Sequence, residues 1–411
     1  MLLAALGVAH RLAFVVTTAG AVLVVAGTVL LLVSALVPGL APASDKESNL
    51  TFTGLFLVLA MATALSPYSD DTAATLLTAA AAITFVVLEA VPQARQVRLY
   101  VVAALVLAAH GSLVLQLQFP KQDVFRFLTY GVDGLFHHGL NPYLPIPDPQ
   151  SPDVNALTFT YPPGALLVVA PFRLLLGDVR WAFLAGELLF IVGAAPTARR
   201  RGGLATWQQA LLLTPLVFPR ASQAFFDYGN HEWALLGLAA LAVALRRRWL
   251  WSGLLLGTGI ATKQYFIVFP VAFLLPWLSR GALVTAALTT AVVVTPFALW
   301  DWGRFWRDLS DPLRWPPPNP DRLTLVTMTR QLGLDVGRAG AAVLAGGGLL
   351  LAGASGWLAR ASLARSLMAC GASLALFTLL SNYAAYNYYV YALAFFAWGT
   401  AVSGADPDIG S

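Results

Sequence analysis

One cysteine, three lysines and few charges of any kind set the first limits on this sequence. Cys370 lies in an apolar run with no second cysteine to pair with, so there is no disulfide framework and no statement of redox compartment. Charged residues make up 11% of the chain, where soluble domains carry about 25%. No Cys/His metal spacing, Walker loop or Gly-x-Ser-x-Gly elbow occurs, which removes zinc modules, P-loop nucleotide hydrolases and α/β-hydrolases from consideration. A soluble nucleotide-binding domain has no room between the apolar runs. No resident metal or cofactor and no nucleic-acid partner is expected, although a need for a divalent ion stays open.

What fills the 411 residues is hydrophobic: 58% of them, with a mean hydropathy of +0.72. A helix needs about 20 apolar residues to cross roughly 30 Å of hydrocarbon. Candidate spans fall at 12–37, 50–66, 73–91, 99–117, 180–198, 204–220, 232–245, 249–262, 265–278, 281–299, 339–358, 364–381 and 387–403. They recur along the whole chain, so a secretory signal does not explain them. The sequence therefore reads as a polytopic membrane protein. Its 25 Lys plus Arg against 20 Asp plus Glu leave +5, and only Lys46, Lys121 and Lys263 are lysines. Arginine suits phosphate and headgroup contacts, but a GC-rich genome produces the same bias.

The run "PPGALLVVAPFRLLLG" at 162–177 decides the topology. It is short, carries Pro171 and Arg173, and is expected to lie at the interface rather than to span. Arg95 and Arg98, Arg199–Arg201, Arg246–Arg248, Arg280, and Arg360 with Arg365 then share one side, which the positive-inside rule makes cytoplasmic. The opposite, outer side receives 118–179, 221–231, the neighbourhood of Lys263, 300–338 and 382–386. That face gathers Asp123, Asp133, His137, His138, Asp227, Asn230, His231, Glu232 and Lys263. The outer segments of about 60 and about 40 residues exceed ordinary connections. "RWPPPNPDR" at 314–322 is expected to be a stiff extended piece.

Several of these residues are open to both a chemical and a structural reading. Asp123 sits just past the fourth span, where partial desolvation suits a general base, and equally well at the N-cap of the helix "VFRFLTYGVDGLFHHG". Asp133, ten residues on, is about 15 Å away along that helix and cannot pair with Asp123 on one atom. His137 and His138 precede Gly139, where imidazoles suit a helix C-terminus as well as a substrate. Asn230, His231 and Glu232 stand at the mouth of a span; the helix dipole favours Glu232 there, and the cluster offers donors and acceptors for sugar hydroxyls. Lys263 interrupts a long uncharged stretch and must meet an anion, enter a wet cavity or snorkel. Glu187, in mid-span, is expected to pair with an arginine or to be protonated.

The order of these pieces carries a resemblance. An acid just outside a span, then "YGVDGLFHHGLNPYLP", "YPPG", a short apolar stretch, a span, and "GNHEWALLGLAALAVALRRRWLWSGLLLGTGIATKQYFIVFP" resembles the GT-C superfamily of polyprenyl-phosphate-sugar-dependent glycosyltransferases, particularly bacterial mannosyltransferases of glycosyltransferase family 87. The resemblance runs over roughly residues 99–400. It implies an all-α polytopic membrane protein, a GT-C-like bundle of about 11–13 transmembrane helices with large extracytoplasmic loops containing interfacial helices. Residues 1–98 would be a three-helix N-terminal extension, 99–404 the catalytic membrane domain, and 405–411 a short cytoplasmic tail.

The resemblance further implies a monomeric enzyme of the bacterial inner membrane with an extracytoplasmic active site. A sugar, most simply mannose, would move from a polyprenyl-phosphate donor to a lipid or glycan acceptor with inversion. Asp123 maps onto the family's general base and Lys263 onto its membrane lysine. Arg220, Arg126 and Arg330 are candidates to join Lys263 at the donor phosphate. His231, Glu232, Asn230, Asp227, Tyr161, His137 and His138 are candidates for substrate contact. "GNHE" departs from the family's usual "GQN" or "GHD" turn, which leaves the roles of His231 and Glu232 open. A transporter or flippase using Lys263 and Glu187 as pathway charges, or a non-catalytic scaffold, is the alternative.

Overall fold

The structure, a computed structural model, describes residues 45–64, 71–117, 120, 123–144, 159–199, 203–218, 231–264, 275–310, 324–331, 333–334, 337–380 and 386–403. The expected span 12–37, the Pro-rich stretch 314–322, the tail 405–411, Arg220, Asp227 and Asn230 lie outside the described residues, as does the side chain of Asp123. Helices run over Asp45–Ala64 (α1), Thr72–Glu89 (α2), Arg95–Gln116 (α3), Asp123–His138 (α4), Gly164–Leu176 (α5), Trp181–Thr197 (α6), Thr206–Leu213 (α7) and Glu232–Ala244 (α8). Trp249–Ile260 (α9), Arg280–Trp300 (α10), Trp302–Ser310 (α11), Leu325–Gln331 (α12), Gly337–Ala359 (α13), Leu363–Leu380 (α14) and Tyr386–Ser403 (α15) follow. Among the described residues there is no strand.

Among the described residues, five stretches are long and apolar enough to cross a membrane: Glu47–Ala64, Thr72–Glu89, Pro92–Gln116, Arg280–Trp300 and Leu363–Leu380. Several expose their apolar side chains instead of hiding them. Ile83 and Val87 on α2, and Leu288 and Val292 on α10, are all more than half exposed, as lipid contact requires and water would penalise. The protein is an all-helical integral membrane protein, and most described helices lie within a few residues of the apolar runs. The expected span 204–220, however, is an α-helix only over Thr206–Leu213 with a 3-10 turn to Val217, and residues 265–274 of the expected span 265–278 lie outside the described residues.

The arginine clusters do meet at one end of the bundle. Arg98, fully buried, is bonded to Glu89 at the end of α2 and to Gln209 of α7. Gln208 donates to the carbonyls of Ala198 and Ala401 at 2.7 and 2.8 Å, tying the ends of α6 and α15. The hairpin turn 245–248 joins α8 to α9, Gly281 packs against Trp249, and Trp277 donates to Ser366, beside Arg365. Glycine allows the central helices to approach within backbone contact: a Cβ on Gly186 of α6 would collide with the Trp233 carbonyl of α8, and one on Gly237 with the Gly186 carbonyl. Such close approach replaces the hydrophobic drive that lipid cannot supply.

Helix α5 has both of its ends on the side away from the arginines. Its first residue touches Ala261 at the far end of α9, and Arg180, just beyond its other end, bonds carbonyls at the far end of α3. Both ends therefore lie at the pole opposite the arginines. Pro171 sits inside the helix without breaking it. The helix is held along its length by Leu166 against Gly131 of α4 and by the fork from Arg173 to Asp133 at 2.9 and 2.7 Å.

Glu187, expected to pair with an arginine or to be protonated, has a histidine as its partner. Its carboxylate lies 2.8 Å from Nδ1 of His110 on α3, and both residues are buried. Removing one partner of such a pair strands the other in an apolar interior. His110→Leu is expected to destabilise the protein by about 3–5 kcal/mol, and His110→Leu/Glu187→Leu to recover most of that. Melting temperature in detergent is the measurement.

Candidate active site

Three chain reversals build one cluster at the pole away from the arginines. The first is the start of α8, where His231 precedes the helix and Glu232 occupies its first turn, the place the helix dipole favours for a carboxylate. The second is the end of α9. The amides of Ala261 and Thr262 fold back onto Gly257 and Gly259, each at 3.0 Å, and the Thr262 hydroxyl caps Thr258 at 2.7 Å. That turn points Lys263 at Glu232, and the two form an ion pair with Lys263 1% and Glu232 0% exposed. Of the outcomes open to Lys263, an anion, a wet cavity or snorkelling, the first holds, and the protein supplies it.

The third reversal is Tyr161-Pro162-Pro163-Gly164. Neither proline has an N–H, so Gly164 is the first donor available, and it donates to the Ala261 carbonyl at 2.8 Å. A Cβ at Gly164 would collide with that carbonyl, so only glycine permits the contact. Only Thr262 separates Ala261 from Lys263, and the docking accordingly delivers Tyr161 onto it, with the ammonium 5.2 Å from the ring centroid. Gly164→Ala is expected to cost about 1–3 kcal/mol through overpacking and to reduce activity by lifting Tyr161 away. A thermal melt paired with an activity assay on the folded fraction checks both.

Tyr161 also meets the His231 ring edge-to-face at 4.8 Å. His231 is fully buried, and neither ring nitrogen has a hydrogen-bond partner among the described residues. The Thr262 backbone lies alongside without reaching hydrogen-bond geometry. A fully buried imidazole beside the Lys263 ammonium is favoured in its neutral form, with one donor and one acceptor nitrogen.

The cluster is backed by outer-pole loops. Tyr143 donates its hydroxyl to the Tyr161 carbonyl at 2.8 Å and packs against Phe159 and, at 5.1 Å, Phe305 of α11. Burial, and then the Asp308 carboxylate, raise the Tyr143 phenol well above its usual range, which keeps that donor protonated. Gln264 donates to the carbonyls of Thr160 and, at 3.2 Å, Leu309.

Depth follows from helix length. With 13 and 12 residues, α8 and α9 rise only about 20 and 18 Å from their arginine turn, against about 30 Å of hydrocarbon. Their far ends stop roughly 10 Å short of the opposite boundary by that arithmetic, whereas the ion pair is dry because the protein itself covers it.

The remaining described sequence candidates lie on α4 and α12, and none of the contacts that build this cluster among the described residues involves them. Asp123 opens α4, and Arg126 is half-buried one turn on; Arg330 is half-buried in the last turn of α12. His137 and His138 are exposed at the end of α4, ring to ring at 6.4 Å, where Gly139 at φ +61° closes the helix. Asp133 serves the α4–α5 contact through Arg173. Tyr143, Gly164, His110 and Arg180 were missed. Only His110, a lone imidazole inside "VVAALVLAAHGSLVLQ", carried a signal, since an ionisable group within a span demands a partner.

Fold and site together define an integral membrane protein with a recessed polar centre, fed by helix ends and capped by interfacial loops. A family model for glycosyltransferase family 87 matches residues 159–403, well over half of the chain, and the chain belongs to that family. The match takes in Tyr161, His231, Glu232 and Lys263; Asp123 precedes it. Over 117 residues the chain is 35% identical to the polyprenol-phosphate-mannose-dependent alpha-(1-2)-phosphatidylinositol pentamannoside mannosyltransferase of Mycolicibacterium smegmatis. That stretch covers 28% of this chain and 28% of the relative. No solved structure matches.

Proposed function

We propose that this protein is a membrane glycosyltransferase that moves a sugar, most simply mannose, from a polyprenyl-phosphate donor to a hydroxyl of a lipid or glycan acceptor. The observation that carries the reading is the buried Lys263–Glu232 pair beneath Tyr161, with the neutral His231 beside it, at the pole opposite the arginines in a chain of this family. Mannose is favoured by the name of the mycobacterial relative. With the arginine pole in the cytoplasm, the centre faces the extracytoplasmic side of a bacterial cytoplasmic membrane.

In this reading the Asp123 carboxylate takes the proton of the acceptor hydroxyl. The acceptor oxygen bonds to the anomeric carbon as the bond from that carbon to the phosphate oxygen breaks, so the configuration inverts and polyprenyl phosphate leaves with the electron pair. Lys263 hydrogen-bonds the phosphate. Because Glu232 already offsets its charge, the net positive field comes from Arg126, Arg330 and Arg220. His231, Glu232, Asn230, Asp227 and Tyr161 contact the sugar, and His137 and His138 contact the acceptor. The recess of the centre lets a lipid phosphate reach it without leaving the leaflet. Incubation of the purified protein with polyprenyl-phosphate sugars and candidate lipid acceptors, with products identified by mass, tests this. Consumption of polyprenyl-phosphate mannose is expected; turnover of no donor would overturn it.

A further inference from the structure

Arg180 is fully buried at the start of α6, and nothing above gives it a task. We propose that Arg180 is the positioning residue for Asp123, an inference that rests on reading Asp123 as the general base. Its guanidinium holds the chain on both sides of residues 118–122. On the near side, Nη2 donates to the carbonyls of Val114, at 2.8 Å, and Leu117 at the end of α3. On the far side, the guanidinium carbon lies 5.3 Å from the centroid of Phe125, two residues beyond Asp123 in the first turn of α4. Asp178 locks the guanidinium from below through Nη2 at 2.7 Å and Nε at 3.1 Å.

The chemistry of the side chain fits this task. Only a guanidinium presents a planar fork of donors able to engage a carboxylate and two carbonyls while its face covers an aromatic ring. The Asp178 carboxylate offsets its charge, so Arg180 is poorly suited to attract a donor phosphate, unlike Arg126 or Arg330. What it does instead is set where α4 begins relative to α3, and Asp123 is the first residue of α4. A general base acts only from hydrogen-bond reach of its proton, and a displacement near 1 Å costs on the order of 10²-fold in rate.

The test is a kinetic cycle on the full-length protein in lipid nanodiscs, using polyprenyl-phosphate mannose as the probe donor. Arg180→Gln is expected to lower kcat about 10²-fold with KM for the donor unchanged, and Arg180→Lys, which keeps the charge opposite Asp178, to recover part of it. In an Asp123→Asn background, Arg180→Gln should remove little of the residual activity, because the two act as one unit. Phe125→Leu, which leaves the buried charge pair intact, should lower kcat by a smaller factor and serves if Arg180→Gln does not fold. If Asp123→Asn collapses transfer while Arg180→Gln and Phe125→Leu keep full kcat, or if the losses multiply, the positioning role is wrong and the base assignment stands. If Asp123→Asn itself retains full rate, the base assignment fails and takes this role with it.

Discussion

Asp123→Asn is expected to lower kcat by about 10²–10⁴-fold, the usual worth of a general base, with donor KM and folded yield held. Asparagine caps a helix as well as aspartate does, but the structure places Asp123 as the first residue of α4 and not at the cap position before it. Were it only a dipole-favoured carboxylate there, the variant would cost about 0.3–1 kcal/mol and be silent in rate. Catalysis instead requires a proton acceptor, and an amide is not one. Transfer of labelled sugar from polyprenyl phosphate, measured on protein whose melting temperature matches the parent, separates the two roles. An undiminished rate would move the base to another residue.

Lys263→Met is expected to destabilise the protein by about 3–5 kcal/mol, the cost of leaving a buried charge without its counter-ion. Glu232 is fully buried in the first turn of α8 and cannot reach water by a rotamer change. Lys263→Met/Glu232→Gln should recover most of that stability, since replacing both members of a buried pair is often close to neutral. Transfer should stay lost, because the ammonium that meets the phosphate is gone. Thermal melts and turnover therefore move apart in the double variant. A double variant that melts normally and transfers sugar would make the pair purely structural.

The pair also shows how far sequence reasoning reaches. A lone lysine in an uncharged stretch calls for an anion, a wet cavity or snorkelling, but "TGIATKQY" does not say which one. Glu232 was visible as an acid at the head of a span, with the helix dipole as sufficient reason for it. That these two meet depends on the α8–α9 hairpin having arms of nearly equal length, so that a helix start and a helix end arrive together. In the same way "YPPG" announced a turn, whereas the collision that reserves Gly164 for glycine exists only once α5 meets Ala261. For Glu187 an arginine partner or protonation was expected, and the partner is His110, because the groove between α3 and α6 presents an imidazole there.

Membrane class, most helix limits, the two ends of α5 on one side and the gathering of arginines at one pole could all be read from the chain alone. Each depends on free energies of transfer that add residue by residue, so local runs and counts suffice. Which charge answers which, what seals the centre and what fixes the start of α4 were decided by the fold. Those partners lie tens to more than a hundred residues apart in sequence, and they meet only where glycine contacts let particular helices close to backbone distance.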